Sequence, residues 1–261
     1  MSAPPRHVLA AFGVAAEPEP LAGGTGSAWR SGELVLKPLD TSVEEIEWQG
    51  RLFNGLRCDG FRVSHLRGIS DGWCGWEIVA GEHRERAWPE VIAVGERFHA
   101  AIAGVPRPPF LDRRTNHWAI GERVAWSELP AEGFAHVKHL LRLVGALRPV
   151  DATRSQLVHG DLTGNVLFAD DLPPAVIDFS PQWRPPGFAS AIVVGDALLW
   201  EGADERLLAA VAQVDDFPQL LVRALIFRAV VDALFRSAEP QRPDDDDCFL
   251  APVELACSLA G

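Results

Sequence analysis

Between Leu157 and Ser180 the chain reads LVHGDLTGNVLFADDLPPAVIDFS, and this stretch restricts the possible folds more than any other. Apolar runs at Leu157-Val158, Val166–Phe168 and Ala175–Ile177 have the length and bounding turn residues of short strands. Between and after them stand His159-Gly160-Asp161, Asn165 and Asp178. The last two runs read as a hairpin carrying Asn165 and Asp178 at the same end. Each polar residue alone has an ordinary explanation, since Asp and Asn commonly close turns. Together, two carboxylates and an amide on turns after strands suit a site that activates a hydroxyl and holds a divalent cation on a phosphate. His159 reads as a support for its turn and not as a base.

A second constellation lies near the start. Leu21–Arg30, LAGGTGSAWR, holds Gly23, Gly24, Gly26 and Ser27, and is followed by a Ser31-Gly32 turn and the strand-like run Glu33–Leu36, which ends at Lys37. The glycines suit a plain hairpin turn equally with a cover whose backbone N–H groups approach phosphate oxygens. No Gly-Lys-Ser/Thr follows Gly26, so this is not a Walker A loop. Continuation into a strand also excludes a dinucleotide fingerprint. Of 24 basic residues only Lys37 and Lys138 are lysines. A lysine kept in an arginine-rich chain points to a place that needs a compact ammonium. Its expected counter-ion is Glu47 on the following helix, with Glu44 one turn away as the alternative.

With 261 residues, 48% of them hydrophobic, the chain can bury a substantial core. A net charge of −12 argues against nucleic-acid binding, which needs a basic surface. The four cysteines form no CxxC or Cys/His zinc pattern and read as reduced thiols. Val8–Ala16, apolar after Arg6, has some features of a leader segment. A short helix capped by Ser2, with Pro4 and Pro5 in its first turn and Gly13 at its end, explains it better. No apolar run approaches the roughly 20 residues that span a bilayer. The expectation is a soluble cytoplasmic protein.

The coarse pattern is α+β. Strands flank the glycine loop, a helix capped by Thr41 or Ser42 runs to about Leu56, and Phe61–Leu66 and Trp73–Val79 read as two more strands. Beyond Gly81 helices dominate, over Pro89–Ala103, over Gly133–Leu147, and near residues 190–200, 204–214, 218–236 and 250–260. Pro181–Gly187 reads as turn, and Asp244–Asp247 as a solvated loop. The expected organisation is a five-strand-plus-helix lobe over residues 1–80 and a helical lobe over 81–261, with a ligand cleft between them.

HGDLTGN followed by IDFS resembles the catalytic and metal loops of the aminoglycoside phosphotransferase group within the protein-kinase-like superfamily. The glycine loop, Lys37, the helix with Glu47, the Gly81 connector and Asp196-Ala197 extend the resemblance over most of the chain. It implies a bilobal protein-kinase-like fold, with a small antiparallel sheet and helix in the N-lobe and a mainly helical C-lobe. It also implies ATP, with adenine against backbone near Glu77 and Val79, and Lys37 on the α/β-phosphates oriented by Glu47. Asp161 would accept a proton from the hydroxyl of a small-molecule acceptor, while Asn165 and Asp178 would hold Mg²⁺. Asp196 would brace the catalytic loop. One departure stands out. The family usually places four residues between the catalytic Asp and the metal Asn, and here only Leu162, Thr163 and Gly164 intervene. The lost residue is worth up to about 3.5 Å of reach, and Gly164 is the residue able to compensate. The departure motivates a second reading, a catalytically impaired, pseudokinase-like nucleotide-binding regulator. A His159/Asp161 metal hydrolase is a third, without a second histidine at ligand spacing. The acceptor is not legible. Net acidity hints at a cationic compound, whereas Trp183, Arg184 and Trp200 suit a less polar one.

Overall fold

The computed structural model describes residues 2–21, 26–239, 241 and 246–261. Helix α1 (Arg6–Ala11) buries Val8 and stops at Gly13, whose φ is +67°. Ser2 does not cap it. Pro5 stands at the N-cap, with no side-chain hydrogen bond there, and its fixed φ already suits the approach to a helix.

Strands β1 (Glu19–Pro20), β2 (Trp29–Ser31) and β3 (Leu34–Pro38) follow, with Gly32 at φ +57° in the tight turn. Leu34 and Leu36 are buried along β3, so strand alternation sets Lys37 on the face opposite to them. Helix α2 (Val43–Gly55) opens at Ser42, whose hydroxyl accepts from the Glu45 N–H. Then come β4 (Arg62–Val63), β5 (Leu66–Ser70) and β6 (Trp73–Glu77). The single strand expected over Phe61–Leu66 is divided between two sheets. Ser64 Oγ donates to the Glu77 carbonyl (2.5 Å) and the Glu77 N–H donates to the His65 carbonyl (2.9 Å), which occupies the residues between β4 and β5.

Helices α3 (Trp88–Ile102), α4 (Phe110–Arg113), α5 (His117–Ala125) and α6 (Leu140–Ala146) come next. The sequence reading had no counterpart for α4 and α5. α5 is short but capped, the Asn116 side chain accepting from the Ala119 N–H (2.9 Å). The long helix expected over Gly133–Leu147 is broken into a 3-10 turn at Glu132–Phe134 and α6, with His139 between them at φ +68°. Val137, Leu140 and Leu143 are buried while Leu141 is exposed, a three-residue spacing that suits a tighter turn.

Strands β7 (Gln156–His159), β8 (Val166–Ala169), β9 (Leu172–Val176) and β10 (Pro181–Arg184) contain the opening motif. β10 replaces the turn expected there. Its proline is the first residue of the strand, where a missing N–H is tolerated. Helices α7 (Gly187–Trp200), α8 (Phe217–Ala238) and α9 (Leu250–Ala260) complete the chain, a 3-10 segment at Glu205–Val211 lies between α7 and α8, and Asp246–Phe249 leads into α9. Of the acidic run, residues 244 and 245 lie outside the described residues.

Two compact units result. The first comprises Met1–Arg84, Ala100–Ile102 and Gly164–Phe179. It holds an antiparallel five-stranded sheet in the order β1-β2-β3-β6-β5 and a three-stranded sheet in the order β4-β9-β8. β4 runs parallel to β9, and Glu82 exchanges two 2.9 Å backbone hydrogen bonds with Phe168, which ties the connector to β8. Gly81 makes that approach possible, since a Cβ there would lie 3.0 Å from the Phe168 carbonyl oxygen. The second unit, Glu85–His99, Ala103–Thr163 and Ser180–Gly261, is mainly helical, with the β7–β10 pair as its sheet. Its core is built on α7 and α8, which are buried over most of their length. The fold is α+β, as the sequence implied. Among the described residues no helix is long and apolar enough to cross a membrane.

Candidate active site

In the first unit, Lys37 on β3 forms an ion pair with Asp178, Nζ to Oδ2 2.6 Å, both side chains partly exposed. Asp178 has φ +54°, a conformation aspartate adopts more readily than most residues. The β8–β9 register sets Asn165 opposite Ile177, whose N–H donates to the Asn165 carbonyl (3.0 Å). Asn165 and Asp178 therefore share the end of one hairpin. Phe179 packs against Trp48 and Phe53 of α2, with ring centroids at 6.5 and 5.7 Å, which holds the loop to the helix.

Glu47 is not the counter-ion of Lys37. It lies beside Arg51 at 3.7 Å on an exposed face. The buried stripe of α2 is Glu45, Ile46, Gln49, Gly50 and Phe53, and helical spacing turns residue 47 away from it. Glu45 is the residue the sequence reading missed. Its carboxylate accepts from Thr41 Oγ1 (2.6 Å) and Gln49 Nε2 (3.3 Å). Ser42-Val43-Glu44-Glu45 has the spacing of a capping box, a signal that was available. Asp40 was also missed. Desolvation and the nearby Asp178 charge raise its pKa above the usual carboxylate range, against the pull of Lys37.

Of the glycine loop, Gly23 and Gly24 lie outside the described residues. Gly26 has φ +67°, and beyond Ser27 the Ala28 carbonyl accepts from the Leu21 N–H (2.9 Å), which closes the loop at its base. Both Glu77 backbone groups are taken by Ser64 and His65. Among the described residues, the Val79 backbone groups make no hydrogen bond.

Asp161 belongs to the second unit, in a loop after β7. Its N–H donates to His159 Nδ1 (3.1 Å), while the His159 N–H donates to His99 Nε2 (3.0 Å). Both histidines are buried, and burial followed by the neighbouring His159 lowers the His99 pKa to about 3. Both take part in the hydrogen bonds that hold the loop, in line with the reading of His159 as its support. Gly160 sits where a Cβ would come within 2.3 Å of the Gln182 side chain, and its N–H donates to the Ser180 carbonyl (2.9 Å). Leu162 is buried in a notch left by Gly95 on α3, where a Cβ would lie 2.4 Å from Leu162 Cδ1.

The largest omission from the sequence reading is Arg228 on α8. Its guanidinium donates to Asp196 through Nε (2.6 Å) and Nη2 (2.5 Å), and through Nη2 to Asp161 Oδ1 (2.8 Å). Burial opposes its charge, but Asp196 and Asp161 outweigh that and raise its pKa. Asp196 is buried with it. Its pKa is raised by desolvation, with Arg228 opposing. Asp196 thus reaches the Asp161 loop through an arginine.

In the shortened loop Gly164 has φ +79° and open space around its Cβ position. Among the described residues no group of three or more His, Cys, Asp or Glu is arranged to hold a metal. The donors at the hairpin end, one amide oxygen and one carboxylate, fit Mg²⁺, which binds through one or two protein oxygens and keeps water and phosphate as its other ligands.

No protein-family model and no curated protein sequence matches the chain. Solved structures do. The chain has the fold of solved aminoglycoside phosphotransferases. It is similar to APH(2″)-IIa in its ternary complex with streptomycin and ATP, at 14% identity and a TM-score of 0.60, over 95% of this chain and 99% of that one. The spectinomycin phosphotransferase APH(9)-Ia, in complex with ADP and spectinomycin, aligns at 13% identity and a TM-score of 0.58 over 97% and 95%. An aminoglycoside phosphotransferase from Alicyclobacillus acidocaldarius subsp. acidocaldarius aligns at 16% identity and a TM-score of 0.58 over 100% and 96%.

Proposed function

We propose that this protein is a small-molecule kinase that moves the γ-phosphate of ATP to a hydroxyl group. The observation that carries the reading is the charged network at Asp161. A guanidinium is buried in the helical unit to hold one oxygen of an aspartate in a surface-reaching loop, a costly arrangement for a residue with no task.

Asp161 would orient the acceptor hydroxyl and take its proton as the new bond to phosphorus forms. Lys37 would neutralise charge on the α/β-phosphates. This requires it to exchange its contact with Asp178 for one with the nucleotide, leaving Asp178 and Asn165 to hold Mg²⁺. Mg²⁺ supplies neutralisation of the developing charge on the transferred group. Gly26 and Ser27, with Gly23 and Gly24, would cover the phosphates. Val79 is the better candidate of the two hinge residues for the adenine edge, because the Glu77 backbone groups are already bonded. Glu45, buried, ties Thr41 to Gln49 at the start of α2.

The test is γ-phosphate transfer or ATP hydrolysis by purified protein with Mg²⁺. Asp161→Asn should lower turnover on the order of 10²–10⁴-fold while ATP binding by calorimetry persists. Near-normal turnover in that variant would remove Asp161 from the reaction. The shortened loop favours one competing reading, a regulator that binds nucleotide without transfer. Stabilisation by ATP with no turnover on any hydroxyl compound would establish it.

A further inference from the structure

Among the described residues the large apolar side chains that are clearly exposed include two aromatics, Trp118 at 40% and Trp200 at 49%. They come from different helices, α5 and the end of α7. Both nevertheless meet the same guanidinium. Arg228 Cζ lies over the Trp118 ring at 5.6 Å and over the Trp200 ring at 5.9 Å from their centroids. That guanidinium also holds Asp161 at 2.8 Å. Two partly exposed indoles therefore flank the guanidinium that holds the carboxylate proposed to receive the acceptor's proton.

The surrounding charges say what this surface recognises. Exposed indoles attract cations, but here Arg228 already lies over one face of each ring. The acidic groups nearby are engaged as well. Asp161 and Asp196 bind Arg228, Asp232 binds Arg236 at 2.8 Å, and Glu201 accepts from the Trp88 indole N–H. A polyamine would have to break these pairs and meet the Arg228 charge. An uncharged ring loses nothing by stacking there and gains the burial of two partly exposed indoles.

We propose that Trp118 and Trp200 form the acceptor subsite, and that the acceptor is a hydroxyl compound presenting an uncharged aromatic or sugar ring, in place of an aminoglycoside-like polycation. This rests on the phosphotransferase reading for the word acceptor, but the binding site can be tested without turnover.

The probes are 4-nitrophenyl β-D-glucopyranoside, which carries ring and hydroxyls without charge, and kanamycin A, which carries hydroxyls on a polyamine. Saturation-transfer NMR on the full chain should show the glucoside bound with its aromatic protons most saturated, and kanamycin unbound at the same ionic strength. Trp118→Leu and Trp200→Leu, which keep apolar volume, should each weaken glucoside binding roughly three- to tenfold, with unchanged circular dichroism. Kanamycin binding, failure of the glucoside to bind, or binding untouched by both substitutions would overturn the subsite. ATP turnover dependent on Asp161, measured in parallel, separates the two ideas. Turnover without a ring-binding surface rejects the subsite alone, and ring binding without turnover rejects the kinase reading alone.

Discussion

Two ion pairs bear on the proposed chemistry, and they are built in opposite ways. Lys37–Asp178, in the sheet unit, has side chains 26% and 54% exposed. Arg228–Asp196, in the helical unit, has side chains 5% and 3% exposed. Water competes for the first, so the pair contributes under about 1 kcal/mol and exchanges partners easily. The second is sealed and bidentate, and loss of either partner strands a charge in the core. In the proposed chemistry the difference divides the labour: the exposed pair would open to a nucleotide and a metal, while the buried arginine holds Asp161 in place.

Breaking the buried pair should have the largest effect. Arg228→Met leaves Asp196 and Asp161 without their cation and should cost roughly 3–5 kcal/mol, read as a fall in the denaturation midpoint. Arg228→Met with Asp196→Leu removes both charges and should recover much of that stability, because a packed apolar pair often replaces an ion pair at little cost. Activity should not recover, since Asp161 has still lost its anchor. Recovery of both would reduce Arg228 to a structural residue.

The support beneath Asp161 provides the next test, through pH. His99 has a folded pKa of about 3 against an ordinary value near 6.5. Below about 6.5 the unfolded chain takes up a proton that the folded one refuses, so stability falls with acidification across the window from about 6.5 to about 3. At pH 5 the expected loss from this group is about 2 kcal/mol. His99→Gln keeps an acceptor for the His159 N–H but does not titrate, and its melting temperature should depend less on pH between 7.5 and 5 than that of the wild type. Parallel curves for the two proteins would show that His99 is not the titrating group.

How much of this was legible in the sequence depends on whether a residue's role is local. That Lys37, Asn165 and Asp178 stand at strand ends is visible because each borders an apolar run, where residue type and position suffice. Strand β10 is hidden by Pro181 and by the two prolines that follow it, and the break at His139 by apolar residues that also fit a continuous helix. The Lys37 partner is not legible locally because it is Asp178, far along the chain, and not a residue of α2; on α2 itself Ile46, Gly50 and Phe53 mark the inward stripe and place Glu45, not Glu47, on it. Arg228 is separated from Asp161 by 67 positions, and no local pattern joins them. A signal did exist. Arg228 interrupts ALIFRAVV and Asp196 interrupts AIVVGDALL, and opposite charges set in two apolar runs need each other.

The shortened loop joins the two regions in sequence, and its test is smaller. Gly164→Ala meets no steric obstacle but must hold φ near +79°, at a cost of about 1 kcal/mol. If that strain relaxes by moving Asn165, the Mg²⁺ concentration for half-maximal turnover should rise by more than stability alone explains. An unchanged Mg²⁺ dependence would show that Asn165 is not held through Gly164.

The smallest effect on stability, and the clearest contrast with Arg228, is expected at Lys37. Lys37→Met removes an exposed pair and should change unfolding by less than about 1 kcal/mol. If the ammonium meets nucleotide phosphates, it makes charge-assisted hydrogen bonds worth about 1.5–3 kcal/mol there, so the Kd for ATP with Mg²⁺ should rise roughly 10- to 150-fold by calorimetry. Asp178→Asn should leave stability equally unmoved but act through the metal, weakening ATP binding in Mg²⁺ and leaving binding in EDTA unaltered. A Lys37 variant that lost stability but bound ATP normally would invert the comparison, making the exposed pair a structural tie and removing the phosphate contact from the proposed site.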